Sequence, residues 1–141
     1  MSNKSNGTAF EKEVANLLSA GGFWVHRLQD NRNGQPFDIM AVRDNVPVAI
    51  ECKVCEKGVF DFSRIEENQI MAFEMFHKAN NSYAFFAFKD IYGDVTFMPF
   101  GEIRRIMETE GKSGFKVNEG YNFKEFEYLT IGGQYECIHK Q

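Results

Sequence analysis

Pro36-Phe37-Asp38-Ile39-Met40-Ala41-Val42, then Arg43-Asp44-Asn45, then Val46-Pro47-Val48-Ala49-Ile50-Glu51-Cys52-Lys53-Val54: this stretch decides the fold. Two runs of apolar and branched residues flank a short polar turn. They read as a β-hairpin with strands Phe37–Val42 and Pro47–Val54. Side chains alternate along a strand, so Val48, Ile50, Cys52 and Val54 share one face. That face is wholly apolar and is expected to meet the core. Ala49, Glu51 and Lys53 share the other, where plain solvent exposure would also account for a glutamate and a lysine. Asp38 adds a constraint. Counting outward from Asp44-Asn45, Asp38 and Glu51 each lie six residues away, at the same end of the ladder. Two carboxylates facing each other across strands destabilise a sheet. A divalent cation between them removes that cost. Hard oxygen ligands suit Mg²⁺, which keeps several waters for a substrate phosphate. Lys53, one strand step further, supplies the positive charge that a phosphoryl transition state needs.

Before the hairpin, Thr8-Ala9-Phe10-Glu11 fits a capping box. It predicts a helix from Thr8, with Phe10, Val14, Leu17 and Leu18 as its apolar stripe and Gly21-Gly22 as its end. Phe23 to Leu28 reads as a strand and Gln29 to Gln35 as a polar loop. After the hairpin, Ser63 to about Asn80 is predicted to be the longest helix, with Ile65, Ala72, Phe73 and Phe76 buried. Tyr83–Lys89 is nearly all apolar and is expected to be a strand buried on both faces. Val95–Met98 reads as a fifth strand and Glu102–Glu110 as a short helix. The last thirty residues read as an irregular wrap with one more strand or helix. The order α-β-β-β-α-β-β-α predicts an α/β fold, a single mixed sheet with helices packed on it.

The chain has 141 residues, 43% of them hydrophobic and 26% charged. One domain spanning 1–141 is the expectation, and a disordered or fibrous chain is excluded. No apolar run has the length of a membrane span, and the polar Met1–Asn6 start carries no secretion signal. Three cysteines cannot all pair, which fits a reducing cytoplasm. The net charge of −4 argues against a general nucleic-acid binder. Yet residues 1–60 balance seven basic side chains against seven acidic ones, so the acidic excess lies beyond them. Carboxylates that bound cations would leave this first part locally positive.

Pro36-Phe37-Asp38 followed by Glu51-Cys52-Lys53 resembles the motif of the PD-(D/E)xK nucleases, with one residue between Pro and Asp. Gly7-x-x-Phe10-Glu11, Asp38, Ile50-Glu51-Cys52-Lys53 and Gln69, in that order, resemble the RecU-type Holliday junction resolvases, phage versions included. Gly111-Lys112-Ser113 and Tyr128-Leu129 are similar to that family's C-terminal part. The chain departs from it in the short Gln29–Gln35 loop, where the family carries a stalk-forming insertion, and in Asn68, where a histidine often precedes the motif glutamine. The resemblance implies a restriction-endonuclease-like core, a mixed central β-sheet flanked by helices. It implies a structure-selective DNA endonuclease acting in recombination and repair, in a bacterial or phage-infected cell. It also implies roles. Asp38 and Glu51 would bind Mg²⁺, with Mn²⁺ able to substitute, helped by the backbone carbonyl of Cys52. Lys53 would orient the attacking water. Glu11 would hold a second metal or its water, and Gln69 would position Lys53 or the nucleophile. Two symmetric nicks on a four-way junction call for a homodimer.

Other readings stay open. Glu11 is explained by capping alone, and Gln69 by a structural hydrogen bond. The same core could act on another DNA structure, or serve as a non-catalytic DNA-binding module. Arg27, Arg32, Lys57, Arg64 and Lys4 are candidates for phosphate contacts, as are Arg43 and Lys12. Cys52-x-x-Cys55 with Cys137-x-His139 has a zinc-like spacing, but a strand points Cys52 and Cys55 to opposite faces. His26, His77 and His139 read as structural or surface residues.

Overall fold

The computed structural model describes residues 3–29 and 36–132, with side chains from residue 7 onward. Helix α1 (Asn3–Ala20) leads into β1 (Trp24–Arg27), β2 (Ile39–Arg43) and β3 (Val46–Val54). A short strand β4 (Val59–Asp61), a 3₁₀ turn (Phe62–Arg64) and α2 (Glu67–Lys78) follow. Then come β5 (Tyr83–Lys89), β6 (Val95–Pro99), α3 (Phe100–Thr109), β7 (Gly114–Lys116) and α4 (Phe123–Glu127). Five strands form one mixed sheet in the order β1-β2-β3-β5-β6. Only β3 and β5 run parallel, joined through α2, as a parallel pair requires a crossover. Strands β4 and β7 pair antiparallel as a separate two-stranded sheet.

The hairpin forms as its sequence dictates. Asp44 and Asn45 both take positive φ, 50° and 66°, the conformation of the two-residue turn that matches strand twist. The register pairs Ile39 with Ile50, which brings Asp38 beside Glu51. Helix α1 buries Phe10, Val14 and Leu18 at helical spacing. It ends where Gly22 takes a φ of 89° and Phe23 N–H donates to Leu18 O at 3.1 Å, a Schellman closure.

Both faces of the sheet are covered. On one, α1 and the Phe126 of α4 pack on Ile39, Val48, Ile50 and Phe85. On the other, Phe73 of α2 and Phe100, Ile103 and Ile106 of α3 pack on Ala49, Phe86 and Phe88. The small sheet adds Phe60 and Phe115 to this second layer. The sheet therefore has two core sides, and the Glu51 face of β3 is one of them rather than a solvent face. Among the described residues, no helix is long and apolar enough to cross a membrane.

Three expectations need correction. The first helix begins at Asn3, so Thr8 is an interior residue and not an N-cap. An apolar stripe marks where a helix is buried, and a polar turn can extend it at little cost once it is nucleated. The segment from Ser63 is divided into the 3₁₀ turn and a twelve-residue α2, which leaves the eighteen-residue α1 as the longest helix. The pairing of β4 with β7 was not expected, because each strand has three residues and its partner lies more than fifty positions away in the chain.

Candidate active site

The site is built at the end of the hairpin and at the start of α2. Asp38 precedes β2, and its N–H donates to Ile50 O at 3.1 Å. Its carboxylate accepts the N–H of Cys52 at 2.7 Å. That fixes the group between two other acids, Glu11 from α1 and Glu51 from β3, and its side chain is in hydrogen-bonding contact with both. Asp38 and Glu51 are each only 6% exposed. Glu51 Oε2 accepts Gln69 Nε2–H at 2.6 Å and lies 3.4 Å from Lys53 Nζ. Lys53 Nζ also donates to the backbone carbonyl of Arg64 at 3.3 Å. Gln69 has a second task. Its Oε1 accepts the N–H of Glu66 at 3.1 Å, which closes the capping box of α2. A single buried side chain thus ties the helix start to the strand carboxylate.

Three acids share a largely buried corner, and burial outweighs the nearby Lys53 and Arg27 and pushes their protonation upward. Burial, with the contact to Asp38, raises Glu11 to about 7. Burial likewise raises Asp38 to about 6, and the Glu51 charge adds to the effect while contact with Glu11 opposes it. Glu51 is raised by burial, with Lys53 pulling the other way. Arg27 pairs with Glu11, with Nη2 at 3.3 Å from its carboxylate.

Among the described residues, no three His, Cys, Asp or Glu side chains converge as a ready ligand set. The acids are strung through Asp38 instead. Two adjacent carboxylates, Asp38 and Glu51, do fit a cation that keeps most of its own water, such as Mg²⁺. They offer none of the nitrogen or sulfur ligands that close a structural zinc site. Cys52 and Cys55 belong to opposite faces of the sheet, and burial raises both thiols.

A groove of about 480 Å³ opens beside Lys53. Lys57 and Arg64 line it as well, with Glu56 as the one acid on its wall. Of the basic residues singled out in the sequence, Lys57 is exposed on this groove. Arg27 reaches α1, donating to Glu11 at 3.3 Å and to Thr8 O at 3.4 Å. The guanidinium of Arg64 reaches back to Val54 O at 2.9 Å. Arg43 is remote from the site: it binds Gly21 O at 2.8 Å and Glu127 at 2.9 Å, clasping α1 to α4. Arg32, Cys137, His139 and the Lys4 side chain lie outside the described residues.

The sequence reading did not find the Arg64 carbonyl, because a backbone acceptor leaves no mark in a residue pattern. It assigned Cys52 by its carbonyl, and the structure adds its N–H as the donor that orients Asp38.

Comparison with known proteins gives a family-level match. A family model described as archaeal Holliday junction resolvase (Hjc) matches residues 2–130. The crossover junction endodeoxyribonuclease Hjc of Sulfolobus acidocaldarius is 31% identical over 108 residues, covering 74% of this chain and 73% of that protein. The fold is similar to that of Archaeoglobus fulgidus Hjc, with a TM-score of 0.63 at 19% identity, over 83% of this chain and 94% of the other. Both relatives are archaeal, so the bacterial or phage-infected setting expected from the RecU-type resemblance finds no support.

Proposed function

The chain belongs to the archaeal Holliday junction resolvase (Hjc) family, and from that premise we infer that it is a structure-selective endonuclease that hydrolyses phosphodiester bonds at four-way DNA junctions. The observation that carries the chemistry is the pair of buried, adjacent carboxylates Asp38 and Glu51, with Lys53 beside Glu51 and lining a groove that Lys57 and Arg64 also line. The likeness to RecU-type enzymes rests on Gly7, Phe10 and Glu11, on Asp38, Ile50, Glu51, Cys52, Lys53 and Gln69, and on the later Gly111-Lys112-Ser113 and Tyr128-Leu129.

Asp38 and Glu51, with the Cys52 carbonyl, would hold Mg²⁺ or, in its place, Mn²⁺, and Glu11 would serve a second ion or its water. When bound, such an ion polarises the phosphate and makes water a stronger nucleophile near neutral pH. The chain's own groups do the rest. The Cys52 N–H and Gln69 hold the Asp38 and Glu51 carboxylates in place, so no reorganisation is needed as charge develops. The Lys53 ammonium stabilises the extra negative charge on the phosphate and orients the attacking water. Lys57 on the groove and Arg27 beside Glu11 suit backbone phosphates, which set position without reading sequence; Arg32 and Lys4 are proposed for the same task.

Two cuts on a symmetric junction need two sites, so the working unit is a homodimer of single-domain chains in the cytoplasm. The test is a cleavage assay in Mg²⁺ and in Mn²⁺ on a four-way junction, a linear duplex, a flap and a single strand. Paired nicks on the junction alone are expected. EDTA should abolish them, and Glu51→Ala should slow them by roughly 100-fold or more. Equal cutting of the other substrates would remove the junction assignment. Junction binding with no cleavage of any substrate would make the chain a non-catalytic module.

A further inference from the structure

We propose that Arg64 is a positioning residue for Lys53: its guanidinium anchors the Phe62–Arg64 turn to the end of β3, and the turn's last carbonyl then fixes the lysine ammonium. The inference rests on the nuclease reading, because it gives Lys53 a role in the reaction.

A lysine has a long, flexible stem, and holding its head at one point costs side-chain entropy. Glu51 holds the Lys53 ammonium from one direction, at 3.4 Å. A single carboxylate leaves it free to swing about that contact. The Arg64 carbonyl, 3.3 Å away, supplies the second direction. That carbonyl is useful only if the turn carrying it is itself immobile. Arg64 provides this through its own side chain. Nη1 donates to Val54 O at 2.9 Å, one residue beyond Lys53, and approaches Cys55 Sγ at 3.7 Å. The guanidinium carbon lies 5.8 Å from the centre of the Phe60 ring. A largely exposed arginine, on a groove suited to phosphates, has thus turned its charge back onto the strand that bears the lysine.

The other end of the turn is held independently. Asp61 Oδ1 accepts the Ser63 N–H at 2.8 Å, and Ile65 N–H donates to Phe62 O. Four residues past Ile65, Gln69 holds Glu51. Segment 61–69 is therefore one bracket, which grips the lysine through a backbone carbonyl and the carboxylate through a side-chain amide.

The experiment is single-turnover cleavage of a four-way junction at saturating enzyme, with the active fraction counted from binding stoichiometry. Junction affinity is measured in parallel over a range of salt. The proteins are the wild type, Arg64→Met, Asp61→Ala and Lys53→Ala. Arg64→Met keeps an apolar stem on Phe60 and removes the donor and the charge. Asp61→Ala loosens the turn at an exposed site and removes an acid, so it cannot weaken binding through a lost phosphate contact. The expected result is a cleavage rate lowered about tenfold or more in both variants, as ångström-scale misplacement of a reacting group produces. Junction affinity should stay within about twofold, with an unchanged salt slope. A weaker affinity for Arg64→Met, with the salt slope reduced by about one and the rate intact, would make Arg64 a phosphate contact and overturn the proposal. Wild-type rates in both variants would overturn it as well. If Lys53→Ala cuts as fast as the wild type, the role given to Lys53 fails, and this inference falls with it.

Discussion

Asp38 is the residue on which the site turns. It is held by a peptide N–H, touches Glu11 and Glu51, and is buried where an isolated carboxylate would be costly. The cost is visible in protonation. Asp38, ordinarily near 3.8, is raised to about 6, and Glu11, ordinarily near 4.5, to about 7. Each binds its proton more tightly folded than unfolded, so the stabilisation is complete below about pH 4 and is lost as pH rises through 6 to 7. Glu51, Arg27 and Lys53 face the same corner and set how steep the loss is. The melting temperature of the protein in EDTA should therefore fall between pH 5 and pH 8, and Asp38→Asn should flatten the fall. Saturating Mg²⁺ should raise it most at pH 8, where the acids are ionised. A melting temperature that rose over this range in EDTA would contradict the burial argument. At this scale the sequence was informative about identity and silent about environment. Alternation along a strand pointed to Glu51 and Lys53, but solvent remained an equal reading until the second layer was found to cover that face.

At the scale of elements, the β2–β3 hairpin sets the register that brings Asp38 to Glu51, and its turn depends on two residues at positive φ. Asn tolerates this conformation and a branched residue does not. Asn45→Val is expected to destabilise the protein by about 1–2 kcal/mol in urea unfolding. An unchanged midpoint would mean that the strands, not the turn, hold the register. Helix α2 matters to the site through its first turn alone. Its capping box includes Gln69, so helix initiation and carboxylate positioning are one event. The sequence indicated that a structural hydrogen bond alone would account for Gln69. It did not indicate that Glu66 would be the N-cap, because a glutamate in that place is outside the usual capping set. The start of α1 was misplaced for a similar reason: Thr8 and Glu11 have the right spacing for a cap, and tertiary contacts claim Glu11 for the site instead.

Across the whole molecule, the sheet carries aromatic layers that keep the site's strands in place. Phe86 pairs in register with Glu51 on the adjacent strand. Its ring meets Phe60 at 5.3 Å and Phe73 at 5.6 Å, and Phe100 lies at 6.4 Å. Phe86→Ala should cost about 3–5 kcal/mol in urea unfolding, a large share of the stability of a domain this size. A loss below about 1 kcal/mol would show that the layer can collapse into the space. By itself the sequence determined the hairpin, the order of the five main strands and the three longer helices, the buried Tyr83–Lys89 strand and the grouping of Asp38, Glu51 and Lys53. Those follow from local geometry: a strand repeats every two residues, a helix at 3.6, and a turn with positive φ selects few residues. The tertiary structure alone decided that both sheet faces are buried and that Glu11 meets Asp38. It alone decided that Gln69 holds Glu51, that the Arg64 carbonyl holds Lys53 and that β4 pairs with β7. Each of these joins groups that are far apart in the chain or carried by backbone atoms, and it exists only when the layers have packed.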